Sequence, residues 1–230
     1  MIALGKYTDW YYVYSNGSTE YIDTTFDGYT YVEICNGNGG YDGGYNGSGE
    51  TGGGGGSSTY SDYTNGALTE TEAQTYKDQM SASEVTLYNG LSAYQQTMYL
   101  LSAHQAFQKS QELYNEPCEL HNGQGDAFRH AYWNALSTFR IGEELTLQLT
   151  TAHEDKPPSY AYNDFETDMD LHNNSVGIDI ISKLSAGQIV YEAVVTELEN
   201  GRLVYLNNLL GPEQGCQATA QTQFISTNGN

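Results

Sequence analysis

Residues 126–135 read Asp-Ala-Phe-Arg-His-Ala-Tyr-Trp-Asn-Ala, and this stretch decides the fold because its polar and its small residues both recur at helical spacing. Asp126, His130 and Asn134 occupy positions i, i+4 and i+8, so they stack on one face of a helix. The ridge beside them consists of small residues, namely Ala127, Ala131 and Ala135. Because alanine leaves room for a second helix to approach, the stretch predicts one helix of a closely packed bundle.

Further helices are predicted on both sides of this stretch. Apolar residues at three- and four-residue steps predict helices over residues 91–114, 125–139, 143–154 and 188–199, and another that starts near Thr167. Pro117 and the proline pair at 157–158 mark helix ends. Residues 69–72 (TETE) and 81–84 (SASE) both fit the capping box, in which a hydroxyl and a carboxylate satisfy each other's free backbone donors.

The N-terminal part of the chain has a different composition. Residues 1–35 contain short runs rich in aromatic residues and Thr, which predict a small β-meander with strands over 10–14, 21–26 and 29–34. Residues 36–66 are of low complexity and rich in Gly and Tyr, and this composition predicts a flexible linker. Residues 67–215 are the predicted α-helical domain, and residues 216–230 a polar, frayed tail. The predicted fold class is mainly α, a helical bundle domain preceded by a short β-meander and a Gly/Tyr-rich linker.

The formal net charge of −21 argues against nucleic acid as a bulk ligand, since basic residues form no local cluster. No apolar stretch approaches the ~18 residues of a transmembrane segment, and the first residues lack the apolar core of a signal peptide. The three cysteines show no CxxC spacing, so a thiolate metal site is not expected. Cys118 and Cys216 flank the helical region and could pair in an exported protein, but their spacing does not fix the pairing.

Two later helices carry polar residues that match the face formed by residues 126–135. His153 and Glu154 are adjacent at a helix end, and Asp170 shares a helix face with Gly177. Burying carboxylates, imidazoles and amides together is costly unless they pair or hold a metal. The sequence therefore predicts one buried site composed of Asp126, His130, His153, Glu154, Asp170, Asn173 and Asn174.

The residue types in this site suit a divalent metal. Histidine with Asp or Glu is a ligand set that zinc or a similar ion accepts, and the candidate ligands are His130, His153 and Asp170. A purely structural alternative is that Asp126 caps its helix and that His130 is a hydrogen-bonded core residue. His104 and His121 have no comparable partners in the sequence and are assigned to ordinary surface or helix positions.

These segments also resemble a known family. The stretches YLLSA (99–103), NGQGDAFRHAYWNA (122–135), LTTAHE (149–154) and MDLHNN (169–174) resemble the uncharacterised bacterial DUF6973-type domain. The resemblance extends over roughly residues 80–185 and implies a secreted or wall-associated protein, of a kind often found in Bacteroidetes. It implies no established activity. The position of His172 varies in that pattern, so His172 is a weaker candidate than His130 or His153.

A looser similarity connects residues 129–134 with the active-site helix of phospholipase A2-like enzymes, in which a His–Asp dyad activates water. Ala131 stands where that family has its Asp, and no calcium loop is evident, so this similarity is an analogy only.

Taken together, these patterns favour an exported hydrolase that acts on an ester or phosphodiester through metal- or carboxylate-activated water. The expected substrate is a small molecule, a lipid or a component of the cell envelope. One alternative is a non-catalytic helical module whose polar cluster is a structural hydrogen-bond network. Another is a toxin domain of an interbacterial system, which would be accompanied by an immunity protein.

Overall fold

The computed structural model describes residues 67–157, 159–185 and 188–229 with their side chains, and the backbone of four strands within residues 2–33. These strands are β1 (Ile2–Lys6), β2 (Asp9–Val13), β3 (Thr19–Asp23) and β4 (Tyr31–Glu33). They form an antiparallel sheet in the order β3-β2-β1-β4, with Ile2 opposite both Val13 and Glu33. The three predicted strands correspond to β2, β3 and β4, and the additional strand β1 was not predicted. Its IALGK sequence lacks the aromatic residues and Thr on which the prediction depended, yet β1 lies between β2 and β4 in the sheet. The predicted linker at 36–66 lies outside the described residues.

The rest of the described chain is mainly helical, which confirms the predicted fold class. The helices are α1 (Glu70–Asp78), α2 (Ala82–Asn89), α3 (Ala93–Leu113), α4 (Pro117–Leu120), α5 (Gln124–Ile141), α6 (Glu143–His153), α7 (Asp164–Lys183) and α8 (Val190–Glu199). The helix expected to start near Thr167 begins instead at Asp164, so that Asp164 and Glu166 are the acidic residues of its first turn. Gly201 follows α8 with φ of +75°, as expected for a glycine that ends a helix.

The two predicted capping boxes have different outcomes. Thr69 and Glu72 form a complete capping box at the start of α1. At the start of α2, the Ser81 hydroxyl accepts the Glu84 backbone N–H, but the Glu84 side chain does not return to the cap. Glu84 is instead turned inward and is 1 % exposed. A carboxylate buried to this extent needs hydrogen-bond partners, and Tyr99 and His153 provide them.

Helices α3, α5 and α7 build the core around the predicted small-residue ridge. Ala127, Ala131 and Ala135 are fully buried. A Cβ atom added to Gly177 of α7 would lie 2.9 Å from Asn134 Cβ and would also collide with the Ala131 carbonyl oxygen of α5. The α5 and α7 backbones are therefore in direct contact, which brings polar residues of the two helices within hydrogen-bond distance.

The segment after α8 is ordered by a disulfide and a hairpin. Strands β5 (Val204–Leu206) and β6 (Phe224–Ser226) pair in antiparallel fashion, and a short 3-10 helix spans Pro212–Gln214. Cys118 and Cys216 form a disulfide bond. The expectation of a frayed tail after Gly215 was wrong for the described residues, because this bond and the β5–β6 pairing fix the segment and leave Cys216 2 % exposed. Within the described ranges, no helix combines the length and hydrophobicity that a membrane crossing requires.

Candidate metal centre

The centre of the site is a group of three side chains from α5 and α7. Asp126, His130 and Asp170 each offer one ligand atom, and these atoms lie within 4.8 Å of one another. His130 Nε2 is 3.6 Å from Asp126 Oδ1 and 3.3 Å from Asp170 Oδ1. Asp126 and His130 are each 2 % exposed, whereas the Asp170 side chain is 16 % exposed. The group is therefore nearly closed, with its remaining access beside Asp170.

Amide side chains determine which nitrogen of His130 carries the proton. His130 Nδ1 is 3.0 Å from Asn174 Oδ1, and the Asn174 amide nitrogen donates to Glu154 Oε1 at 3.3 Å. Asn134 Nδ2 donates to the same Asn174 oxygen at 2.6 Å, which fixes the orientation of the Asn174 amide. Because Asn174 Oδ1 can only accept, Nδ1 of His130 is the protonated nitrogen. Its Nε2 lone pair therefore faces Asp126 and Asp170.

The Asp126 carboxylate is held by donors from both of its sides. The Arg129 guanidinium donates through Nη2 to Asp126 Oδ1, and the same Nη2 is 3.0 Å from His130 Nε2. The backbone N–H of Asn122 donates to Asp126 Oδ2 at 2.7 Å, and His121 Nδ1 lies 3.7 Å from that oxygen. Arg129 is thus the permanently charged side chain that contacts the ligand group, and His121 is a second basic side chain beside Asp126.

Burial and neighbouring charge set the protonation states of the group. Burial, reinforced by Arg129, lowers the pKa of His130 to about 3, so its imidazole is neutral near pH 7. Burial alone would raise the pKa of Asp126, but Arg129 holds this pKa well below its ordinary value. Burial and the carboxylates of Asp126 and Glu154 raise the pKa of Asp170 well above its ordinary value. Asp126 is therefore ionised beside Arg129, whereas Asp170 keeps its proton to a higher pH than an ordinary aspartate unless a cation compensates its charge.

His153 does not join this group, so its prediction as a metal ligand was wrong. Its Nδ1 is 2.7 Å from Glu84 Oε2, and the Tyr99 hydroxyl donates to the other Glu84 oxygen at 2.8 Å. The Trp133 ring contacts both histidines, with its centroid 5.0 Å from that of His153 and 6.2 Å from that of His130. Because the Glu84 side chain points inward, His153 has a separate carboxylate partner. Asp126 takes the ligand position that was predicted for His153.

Asn173 was also predicted in the site, and the structure assigns it another role. Its amide nitrogen donates to the Val204 carbonyl at 2.9 Å, and its oxygen accepts the Val204 N–H at 3.0 Å. Asn173 therefore fixes strand β5 to α7. His172 is 2.8 Å from the Arg202 carbonyl oxygen and also lies away from the ligand group. Of the predicted residues, the structure brings together Asp126, His130, Glu154, Asp170 and Asn174.

Several residues in or near the site were not predicted from the sequence. Arg129 directly precedes His130, but one basic residue in an acidic chain gives no pattern. His121 was assigned to an ordinary position, whereas its proximity to Asp126 raises its pKa. Glu84 matched a capping pattern, which concealed its contact with His153. His104 was assigned in the same way as His121 but is only 7 % exposed, with Nδ1 3.1 Å from the Tyr76 hydroxyl.

The fold and the site define a mainly helical domain with a buried carboxylate–imidazole group whose geometry suits a metal ion. Residues 91–202 match the family described as Domain of unknown function (DUF6973), which is the family that the sequence resembles. Searches of curated proteins and of solved structures gave no match. The matched range includes all three residues of the Asp126–His130–Asp170 group.

Proposed function

We propose that this protein is a metal-dependent hydrolase of esters or phosphodiesters, with zinc or a similar divalent ion held by Asp126, His130 and Asp170. One observation carries the proposal. Asp170 Oδ1 is buried and has no hydrogen-bond partner among the described residues, although it lies 3.3 Å from the His130 Nε2 lone pair. When Asp170 is ionised, these two atoms are both acceptors and repel each other, and either a proton or a cation between them removes the repulsion.

The surroundings of His130 support a ligand role. A metal-bound histidine generally donates its other ring N–H to a neighbouring acceptor, which fixes the ring and leaves one lone pair for the ion. Asn174 Oδ1 is that acceptor here, and Glu154 in turn accepts from the Asn174 amide. Two carboxylate oxygens and one imidazole nitrogen are a donor set that zinc accepts.

The charge balance supports the same conclusion. Asp126, Glu154 and Asp170 place three carboxyl groups around His130, and Arg129 provides one positive charge. Burying uncompensated carboxylates is costly. A divalent cation would balance the group, and it would require Arg129 Nη2 to leave Asp126. The Arg129 side chain is 26 % exposed, so it has room to turn toward the neighbouring cavity.

A bound divalent cation lowers the pKa of a water molecule and polarises a carbonyl or phosphoryl oxygen, which is the chemistry of hydrolysis. The protein residues then have separate roles. Arg129, released from Asp126, donates to the oxygen that gains negative charge as water attacks. Asn174 and Asn134 hold the His130 ring in place. The expected substrate remains a small molecule, a lipid or a cell-envelope component.

We also propose that the protein acts outside the cytosol. The Cys118–Cys216 disulfide supports this location, because such bonds persist mainly in oxidising compartments. The disulfide lies near the site, since the Asn122 side chain donates to the Cys216 carbonyl at 3.1 Å while the Asn122 backbone N–H binds Asp126.

The test is a zinc titration of wild type, Asp170→Asn and Asp168→Asn, followed by assays of p-nitrophenyl acetate and bis(p-nitrophenyl) phosphate. Asp168 is an exposed residue of the same helix, so its substitution makes the same charge change away from the site. We expect one zinc ion per wild-type and Asp168→Asn chain, and zinc-dependent hydrolysis of at least one substrate. Asp170→Asn should lose both. Equal zinc binding by the two variants would contradict the proposal.

A non-catalytic module is the second candidate, because Asn134, Asn174 and Glu154 already form a continuous hydrogen-bond network with His130. The melting temperature separates the two. In a purely structural network, His130→Ala would cost about 3–5 kcal/mol, and a chelator would leave the wild-type melt unchanged. In a metal centre, chelator lowers the wild-type melting temperature and has no effect on His130→Ala.

A further inference from the structure

A cavity of about 60 Å³ lies beside the Asp126–His130–Asp170 group, on the other side of Arg129. Five helices contribute to its wall. The polar part of the wall contains Glu84, Tyr99, Arg129, Trp133 and His153, and the apolar part contains Met80, Leu100, Ala103 and Phe107. Arg129 belongs to this wall and also donates to Asp126, so it connects the cavity with the proposed metal centre.

Two residues of the wall carry hydrogen-bond donors without a partner among the described residues. Trp133 is 4 % exposed, and its Nε1–H has no hydrogen-bond partner among the described residues. A buried donor without a partner costs free energy, which a ligand acceptor would recover. Arg129 uses only Nη2 in its hydrogen bonds within the described chain, which leaves its other nitrogens free to donate. Since both groups are donors, the ligand group that suits them is an oxygen acceptor, such as a carbonyl oxygen.

The charges around the cavity favour a neutral acceptor over an anion. Glu84 is almost fully buried in the wall, and its two carboxylate oxygens already accept from Tyr99 and His153. The Arg129 charge is opposed by Asp126 and Asp170, which raise its pKa. The chain as a whole carries a formal charge of −21. Apart from the proposed cation itself, these charges oppose a phosphate group and do not oppose a carbonyl group.

The size and the apolar part of the wall limit the rest of the ligand. A water molecule needs roughly 10–15 Å³ of such volume, so a cavity of about 60 Å³ holds about four to six waters. An acyl group of about two to four carbons fills a comparable volume, with its carbons against Leu100 and Ala103. Phe107, at 42 % exposure, lies on the outer side of this wall.

We infer that this cavity is the acyl-binding pocket of the proposed hydrolase and takes a neutral carboxylic ester or amide with a short acyl chain, its carbonyl oxygen bound by Trp133 Nε1–H and Arg129. The inference rests on the proposed function and narrows its substrate class to carbonyl compounds. In this pocket, the buried Glu84 carboxylate orients the His153 ring in the wall.

The probe for this inference is butyramide, a neutral short-acyl compound, with inorganic phosphate as the anionic comparison. The chain has two tryptophans, so the indole ¹⁵N–H signal of Trp133 in the intact protein is assigned by comparison with Trp10→Phe. We expect butyramide to shift the Trp133 signal saturably, with a Kd in roughly the millimolar range for so small a ligand. A saturable shift with phosphate and none with butyramide, or no shift with either, would overturn the inference.

Filling the cavity provides a second, matched measurement. Ala103→Leu adds bulk to the cavity wall, and Ala82→Leu makes the same change at an exposed position of α2. Ala103→Leu should weaken butyramide binding by at least about tenfold, equivalent to ~1.4 kcal/mol, and Ala82→Leu should not. If Ala103→Leu does not fold, Leu100→Ala should instead extend binding to hexanamide. Zinc-dependent cleavage of a phosphodiester without butyramide binding would leave the hydrolase proposal standing and refute the acyl pocket.

Discussion

Replacing Gly177 with alanine should weaken the fold and the metal centre together, because this glycine sets the distance between α5 and α7. The added methyl group would lie 2.9 Å from Asn134 Cβ and still closer to the Ala131 carbonyl oxygen, whereas ordinary carbon contacts are about 3.5–4.0 Å. The helices must therefore move apart by roughly 1 Å. Overpacking of this kind costs about 1–3 kcal/mol, and contact with a rigid backbone places Gly177→Ala at the upper end.

Alanine has a higher helix propensity than glycine, which offsets about 1 kcal/mol of this cost. The free energy of unfolding should therefore fall by roughly 2 kcal/mol in total. For a domain of this size, that corresponds to a fall of about 4–8 °C in melting temperature. Moving α7 also lengthens the 3.3 Å separation between His130 Nε2 and Asp170 Oδ1, so zinc should bind about tenfold more weakly.

Differential scanning calorimetry and competition with a chromophoric chelator measure the two effects. Ser175→Ala is the control, because Ser175 is exposed on the same helix and bonds only within it. A Gly177→Ala protein that melts with the wild type, or that is destabilised but binds zinc as tightly, would refute the argument.

Three further predictions concern the rest of the domain. Burial lowers the pKa of His104, so the unfolded chain binds a proton there more readily than the folded chain. The free energy of unfolding should therefore fall as the pH drops below the unfolded pKa of ~6.5. Urea titrations from pH 7.5 to 5 should show a shallower fall for His104→Gln than for the wild type. Reducing the Cys118–Cys216 disulfide should cost about 2–5 kcal/mol, and an unchanged melt under reductant would contradict that bond. Asn173→Ala should lower the free energy of unfolding by about 1–3 kcal/mol, because it removes two hydrogen bonds to Val204. Zinc affinity should be unchanged, and a loss of zinc binding would show that Asn173 belongs to the site.

Much of the site could be predicted from spacing within single helices. Asp126, His130 and Asn134 recur every four residues, and this alone places them on one face of α5. The same rule pairs Asp170 with Asn174 on α7. Asn173 also follows Asp170 at helical spacing, but the sequence does not show how far α7 is rotated about its axis. The structure turns Asn173 toward β5 and Asn174 toward His130.

The remaining features depend on contacts between distant segments. Glu84 and His153 are 69 residues apart, and Glu84 already had a sufficient local explanation as a capping residue. The strand order β3-β2-β1-β4 likewise depends on a pairing between the first and last strands of the N-terminal segment, which local turn signals do not encode. Periodicity therefore gave the helices and one face of the site, and long-range pairing supplied the partners.

The most direct test of the metal centre is an anomalous difference map at the zinc absorption edge from crystals grown with zinc. The account predicts one strong peak about 2.0–2.2 Å from His130 Nε2 and from one oxygen each of Asp126 and Asp170, with Arg129 Nη2 displaced from Asp126. The absence of a peak among these three residues in zinc-saturated crystals, with Arg129 still bonded to Asp126, would contradict it.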